Sequence, residues 1–583
     1  MPHVARHTDP QPAQLRRCLI VGRIVLVLVS VAMLVLVGRV VQLQHQPPEP
    51  LAEAAGSRHS RQPLLARRGS LLDRRGRPLA VSRVGHRLFV DPALIDNHRH
   101  FAFHLGHAIG ADPASIDQLL ARYEGSRYIV VDKLLDDEQA AVADAFDHPA
   151  VGLEPVLVRH YPQGVIAGQL VGFVGDEHRG LDGAEFIFNQ RLDGEPGRAV
   201  YLRDHDRNPL QVAAADYQPP VDGDDVQLSI DVVIQSIAED ALAEVCRKHR
   251  ADRGEAVVMH AGTGQVLAMA NWPRYDPADR GNVPPAARRN RCVTDPYEPG
   301  SIFKPFVHAA ATDAGVARPS EKIDCTDSGF YISPRGRRLR DAHGHGTLSW
   351  DDVLVFSSNI GMAIVGQRLG ERRMHAAVRR FGFGSLTGSA LPGESVGIVN
   401  PLGVWNHYSE TSVPMGQEIA VTPLQMVRGF AAFANGGLVP SPSVLHEHAE
   451  RPIYQRAISQ HTADHTRQVL RRVVTEGTGR RARSDKYRIW GKTGTAQVPD
   501  RVNGGYIDRA YTASFVCGAP LRRPAIVVLV VVHQPDPETG YYGGLVSAPA
   551  ARRIVERSLQ YLGVPFDADV DQADVSQQVA TAD

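Results

Sequence analysis

Lysine is scarce in this chain. Of 64 basic residues only six are lysines, Lys133, Lys248, Lys304, Lys322, Lys486 and Lys492, and arginine supplies the rest. Chemistry that arginine cannot perform therefore has a claim on any lysine that remains, because arginine keeps its proton in proteins. Cysteine is scarce too. Five in 583 residues exclude a disulfide-dense scaffold, and no pair is spaced CxxC, which argues against a zinc ribbon or a thioredoxin-like site. Net charge is lacking altogether, with 64 Lys and Arg against 64 Asp and Glu. A globally basic nucleic-acid binder and a polyacidic chain are both excluded. There is no internal repeat. A hydrophobic content of 43% with 22% charged residues rules out wholesale disorder. At about 150 residues per domain the length allows three or four domains.

What is present begins with a long apolar run. Leu19 to Val37 holds a single charge, Arg23. At 1.5 Å rise per residue it spans roughly 28 Å, enough for a bilayer core. Arg23 and Arg39 lie near its ends, where long cationic side chains reach the headgroups. Arg6, Arg16 and Arg17 precede the run, whereas Arg39 alone is basic in the stretch that follows, so the N-terminus is expected in the cytoplasm. A cleaved signal peptide is the competing reading. It is disfavoured by the length of the run and by the distance to the small-residue site Ala52-Glu53-Ala54. Cys18 then marks the cytoplasmic edge. Cys246, Cys292, Cys325 and Cys517 lie on the exported side, with their pairing open.

After a proline-bearing linker, His45 to Pro50, residues 51–220 alternate helical and strand-like patterns. Phe101 to Tyr123 and Asp137 to Phe146 carry helical spacing, and Tyr128 to Val131 reads as a strand. A boundary is expected near residue 220. Beyond it come a strand, Val226 to Ile230, a helix, Val232 to Lys248, and a hairpin centred on Ala261-Gly262-Thr263-Gly264. Ala525 to Val532 is a continuous β-branched run that reads as a buried strand. A last helix is expected at Ala548 to Leu562, and the segment from Phe566 to Asp583 reads as a disordered acidic tail. The implied organisation is 1–18 cytoplasmic, 19–38 anchor, 39–220 pedestal, 221–563 main domain and 564–583 tail.

Three short motifs carry chemistry. In Glu298-Pro299-Gly300-Ser301-Ile302-Phe303-Lys304 a loop opens a helix, and Ser301 and Lys304 share one face. A serine hydroxyl needs a base, and a lysine of lowered pKa can be that base. Ser357-Ser358-Asn359 offers a hydroxyl and a carboxamide two residues apart, although alone it reads better as a helix cap or turn. Lys492-Thr493-Gly494-Thr495 supplies a cation and hydroxyls for a carboxylate, with a glycine that permits close backbone approach. Each is weak in isolation. The order SxxK, SxN, KTG, with 56 and then 135 residues between starts, is what makes them strong, and two of the six lysines fall at the two positions that require one.

With these motifs the chain resembles the penicillin-recognising serine acyltransferases. Further segments are similar to class B penicillin-binding proteins: Arg68-Gly69-Ser70-Leu71-Leu72-Asp73-Arg74-Arg75-Gly76, Arg159-His160-Tyr161-Pro162 and Gly180 to Glu185. Thr294-Asp295, Gly416-Gln417, Thr422 to Gln425 and Tyr541 to Gly544 resemble the cell-division (septal) branch. Leucine at position 71 stands where the family usually has isoleucine. The resemblance runs from about residue 15 to 563. It implies an α/β (α+β) transpeptidase domain of the penicillin-binding/serine β-lactamase type, an antiparallel sheet with helices on both sides, an N-terminal α+β pedestal and one transmembrane helix.

The activity it implies is peptidoglycan D,D-transpeptidation. Ser301 is the nucleophile and Lys304 its base. Ser357 and Lys492 relay the proton to the leaving amine, Asn359 holds the peptide, and Thr493, Gly494 and Thr495 bind the substrate. The backbone N–H groups of Ser301 and Thr495 are expected to form the oxyanion hole. No cofactor or metal is implied. Implied partners are stem peptides, β-lactams, the membrane, a polytopic glycan-polymerising membrane protein and division proteins, with no nucleic acid. An elongation role remains open. A β-lactamase or D,D-carboxypeptidase on the same fold would lack the 51–220 module, and a silent scaffold or β-lactam sensor would lose motif residues or gain a cytoplasmic signalling domain. His343 and His345 near Cys325 make a poor tetrahedral set. Arg67, Arg68, Arg74, Arg75 and Arg77 read as a solvated face rather than a phosphate or lipid site.

Overall fold

The structure, a computed structural model, describes residues 12–46, 48, 59–123, 125–203, 209–447, 454–500 and 502–568. The chain divides into two compact units, Met1–Ala66 with Glu195–Val221, and Arg67–Gly194 with Asp222–Asp583. In the first, helix α1 (Pro12–His45) contains the apolar run. It is long and apolar enough to cross a membrane, and its apolar side chains are exposed. Three antiparallel strands, His59–Leu64, Gly197–Arg203 and Pro209–Gln218, complete this unit.

The second unit opens with a pedestal. Its sheet contains β1 (Leu71–Leu72), β2 (Pro78–Val90), β3 (Ile129–Leu135), β4 (Val151–His160) and β5 (Val226–Gln227). The order is β3-β2-β1-β5, with β4 also on β2. Helices α2 (His98–Ile109), α3 (Pro113–Arg122) and α4 (Asp137–Asp144) enclose a small core of Leu88, Phe101, Leu105, Ile116 and Leu120. The continuous helix expected over Phe101 to Tyr123 is two helices. Gly110 ends α2 in the left-handed region, Asp112 caps α3, and Pro113 fits its first turn. The expected strand over Val226 to Ile230 shortens to two residues, because Ser229 bonds to Val444 and Asp231 already caps the next helix.

The main domain is built on a five-stranded antiparallel sheet in the order β7-β6-β10-β9-β8. The strands are β6 (Arg253–His260), β7 (Val266–Trp272), β8 (Trp490–Pro499), β9 (Tyr506–Ala519) and β10 (Ile526–His533). The β6–β7 hairpin matches the sequence pattern. In β10 all eight residues are buried, as an interior strand covered on both faces requires. Helices α5 (Val232–Lys248) and α10 (Gly543–Tyr561) cover one face through Ile234, Leu242, Val528, Val530 and Ile554. On the other face lie α6 (Lys304–Asp313), α7 (Trp350–Val355), α8 (Asn359–Leu369) and α9 (Gln460–Thr475), around Phe303, Phe306, Met362 and Leu529.

Three expectations change. Helix α10 starts five residues earlier than the pattern suggested, and the N–H of Gly543 donates to Thr495 Oγ1 at 3.0 Å. The segment from Phe566 is not disordered throughout. Phe566 packs on Tyr487 at 5.3 Å between ring centroids. Asp567 accepts from the backbone N–H of Arg488 (2.6 Å) and of Leu521 (2.9 Å). The rest of that tail, 569–583, lies outside the described residues, as do residues 1–11 and half of the expected linker. The solvated arginine face fails at Arg68 and Arg77. Arg68 Nε donates to Glu185 at 2.7 Å and Arg159 Nε to the other oxygen of Glu185 at 2.6 Å, all three buried. Arg77 bridges the buried carboxylates of Asp73 and Asp231. Cys246, Cys292, Cys325 and Cys517 are buried and unpaired.

Candidate active site

Ser301 stands in a single 3-10 turn, Gly300–Phe303, that runs directly into α6 at Lys304. In such a turn residues i and i+3 eclipse, which sets Ser301 and Lys304 on one line more tightly than an α-helix would. The turn is pressed against the sheet edge. A side chain at Gly494 would meet Ile302 and the carbonyl of Pro299, each at 3.0 Å. The glycine in the third motif therefore admits the turn that carries Ser301, not only a ligand. On the other side, Gly300 N–H donates to Gly416 O at 3.1 Å. Gly416 has φ +76, and a Cβ there would collide with the carbonyl of Gly300.

Both site lysines are completely buried. Lys304 Nζ donates to Ser357 O (2.6 Å), Ser357 Oγ (3.1 Å) and Asn359 Oδ1 (2.8 Å). Lys492 Nζ donates to Ser357 Oγ (2.9 Å) and to Thr493 O (3.1 Å). Burial holds the pKa of Lys304 down to about 7, against the pull of Asp341. Burial pushes Lys492 well below its ordinary value as well, and the charge on Lys304 adds to the effect. An amine that gives up its proton near neutrality is a competent base. Ser301 is half-buried, and among the described residues Lys304 Nζ bonds to Ser357 and Asn359 rather than to the Ser301 hydroxyl.

The second motif divides its labour. Ser358 is the N-cap of α8, its hydroxyl accepting from Gly361 N–H at 3.0 Å, as the bland reading of Ser-Ser-Asn anticipated. Ser357, one residue before, has φ +64, a left-handed conformation rare for serine and frequent at functional sites. That geometry turns both its carbonyl and its hydroxyl toward the lysines. Asp341, which no spacing in the sequence singles out, fixes the segment from behind. It accepts from Ser358 Oγ (2.5 Å), Asn359 N–H (2.5 Å) and Ile360 N–H (3.2 Å). Asn359 Nδ2 donates to Arg340 O at 2.9 Å, so the segment leading into Asp341 lies beside the second motif.

Side chains alternate along β8. Lys492 reaches Ser357, while Thr493 Oγ1 meets Thr478 Oγ1 at 2.7 Å and Thr495 Oγ1 accepts from Gly543, at the start of α10. Thr478 and Gly543 are contributors that sequence spacing does not reveal. Three residues before Ser301, Glu298 accepts from Tyr506 at 3.0 Å. Tyr511, Tyr541 and Tyr542 form a stack with centroid separations of 4.1 and 4.5 Å.

Comparison with known proteins shows the family. Residues 254–556 match the family model of the penicillin binding protein transpeptidase domain, and residues 63–228 match that of the penicillin-binding protein dimerisation domain. The chain is 33% identical to the probable peptidoglycan D,D-transpeptidase PbpC of Pseudomonas aeruginosa, over 93% of this chain and 95% of that one. It is 30% identical to the peptidoglycan D,D-transpeptidase FtsI of Escherichia coli, over 93% and 91% of the two chains. Among solved structures it resembles penicillin binding protein 3 of Mycobacterium tuberculosis complexed with aztreonam, with TM-score 0.66, 27% identity and coverage of 87% and 98%. Nearly the whole length takes part in these matches, and the chain belongs to the class B penicillin-binding proteins, as a peptidoglycan D,D-transpeptidase and a β-lactam target.

Proposed function

We propose that this protein cross-links peptidoglycan stem peptides through an acyl-enzyme on Ser301, with Lys304 as general base. The observation that carries the reading is the meeting of two buried amines at Ser357 Oγ, with Lys304 holding a pKa of about 7. Ser301 Oγ attacks the penultimate D-Ala carbonyl as its proton passes to Lys304. The backbone N–H groups of Ser301 and Thr495 stabilise the oxyanion. Lys492 and Ser357 deliver a proton to the departing D-Ala amine, and an amine of a neighbouring stem resolves the acyl-enzyme. Asn359 holds the peptide, and Thr493 and Thr495, extended by Thr478, bind the terminal carboxylate beside Gly494.

The same reading assigns residues 19–38 as a single-pass anchor with the N-terminus inside. Residues 39–220 are the pedestal, and 221–563 are the transpeptidase domain outside the membrane. Cation asymmetry around the apolar run supports this orientation. A septal role is supported by the segments Thr294-Asp295, Gly416-Gln417 and Tyr541 to Gly544. Its partners would be division proteins and a polytopic membrane protein that polymerises glycan. Labelled penicillin, proteolysis and mass spectrometry should place the adduct on the peptide containing Ser301, and Ser301→Ala should abolish it with the fold intact. An adduct on Ser357 or Ser358 would overturn the assignment. A periplasm-active reporter joined at Asp583 should score as exported, and a cytoplasmic signal there would refute the orientation.

A further inference from the structure

Transpeptidation makes no use of a feature on the pedestal helix α2. This helix holds His98, His100, His104 and His107 within ten residues. His100 and His104 are i and i+4, so the helix stacks them on one face. Their rings lie 4.3 Å apart between centroids, and their Nε2 atoms face each other at 3.1 Å. Both are exposed, while Phe101, Ala102, Leu105 and Ile109 of the same helix are buried in the pedestal core.

Between two neutral imidazoles this contact is one N–H···N hydrogen bond, and a cation can take the place of the shared proton. Two nitrogens about 2.0–2.1 Å from one ion, at an angle between square-planar and tetrahedral, stand about 2.9–3.4 Å apart. The observed 3.1 Å falls inside that window. We propose that His100 and His104 chelate a divalent transition cation on this helix. The donors decide the class. Imidazole nitrogen suits Cu2+, Ni2+ and Zn2+, whereas Mg2+ and Ca2+ demand oxygen ligands.

Among the described residues no group of three or more His, Cys, Asp and Glu comes together. The site is therefore an open two-point chelate completed by water, not a closed structural zinc site. His107 does not join it, since its ring packs on Phe103 at 4.3 Å. Nor does Arg99 oppose the ion at close range, because its guanidinium is drawn toward Asp117, 3.7 Å away. Cu2+ should bind most tightly by the general order of divalent affinities. The ion ties one helical turn closed, so it binds folded α2 in preference to the unfolded chain and stabilises it by mass action.

The test uses the full-length protein in detergent micelles, stripped with a chelator and titrated with CuCl2 or, separately, ZnCl2. Electron paramagnetic resonance of the first Cu2+ equivalent should show two equatorial nitrogens. Both H100A and H104A should lose that signal, with calorimetric affinity down at least tenfold, while H107A retains it. ZnCl2 should raise the unfolding midpoint of the wild type and not of the two variants. Fluorescent penicillin labelling checks that each variant is folded, and H104N repeats the measurement if H104A is not. First-equivalent binding of wild-type strength in H100A and H104A would place the ion elsewhere among the 25 histidines and overturn the proposal.

Discussion

Lys304 and Lys492 point their amines at the same oxygen, Ser357 Oγ, from 3.1 and 2.9 Å. The two positive charges cannot both be retained at full strength in a site that excludes water. One hydroxyl between them gives a path along which a proton can pass from one amine to the other.

Lys304→Arg should therefore keep a cation and lose the base. Acylation by a β-lactam should fall by about 10² or more, the usual cost of removing a positioned general base. Stopped-flow acylation rates, measured after circular dichroism confirms folding, decide the point. A variant within a few-fold of wild type would show that the base lies elsewhere.

From the sequence, Lys492→Arg looks mild, because a carboxylate-binding charge is preserved. Complete burial of Lys492 between Ser357 and the carbonyl of Thr493 changes that expectation. A guanidinium is larger and stays charged. Overpacking alone costs about 1–3 kcal/mol. Lys492→Arg should lower both the unfolding midpoint and the acylation rate, and a variant matching wild type in both would refute this.

Ser358→Ala should separate the cap from the chemistry. It removes an N-cap, worth about 1 kcal/mol, and a hydrogen bond to buried Asp341. The unfolding midpoint should drop by several degrees while the Ser357 hydroxyl between the two lysines remains. Ser357→Ala should do the reverse, with little change in stability and a large loss of acylation. If both variants behave alike, the division of labour is wrong.

The motif residues were legible because each needs a particular side chain in a particular order. Asp341 was not, because a carboxylate that caps a turn from a distant loop leaves no periodic trace. Thr478 escaped for the same reason, and although Gly543 lies in the quoted segment Tyr541 to Gly544, its contact with Thr495 runs through a backbone N–H that no side chain announces. The arginine cluster misled because charge runs are usually solvated. Only the burial of Glu185, contributed from more than 100 residues away, reveals Arg68 as an interior ion-pair partner. Hairpins and helices with local signals, such as β6–β7 and Val232–Lys248, were readable without tertiary information.

Glu185→Ala should be severe. It strands the guanidinium groups of Arg68 and Arg159 in a dry interior, a loss of about 3–5 kcal/mol. Glu185→Gln should cost less because it keeps one acceptor. Denaturant unfolding of both variants checks the order, and a harmless Glu185→Ala would show that water reaches the site.

A half-buried carboxylate behind α6 gives a pH signature. Asp351 lies 3.3 Å from His308 and 2.9 Å from His465. Burial opposes ionisation of Asp351, but the close approach of His308 and the hydrogen bond from His465 hold its pKa down to about 2, and that of His465 is raised chiefly by the same bond. The His465 contribution is complete below its unfolded value, about 6.5, and is lost as pH rises through its higher folded value. The Asp351 contribution is present above its unfolded value, about 3.9, and is lost as pH falls through its folded value of about 2. The stability difference between wild type and Asp351→Asn should therefore be greatest between about pH 4 and 6.5 and shrink on both sides. A difference that does not vary with pH would exclude this coupling.

The central sheet ends on β8, and among the described residues no further strand pairs with that edge. Open edges invite other chains to add on, which is how aggregates start. Here the turn that carries Ser301, resting on Gly494 and Ala496, obstructs part of the border. A hazard of sheet architecture is thus curbed where it is greatest: an intruding strand meets a rim already occupied by a neighbouring turn.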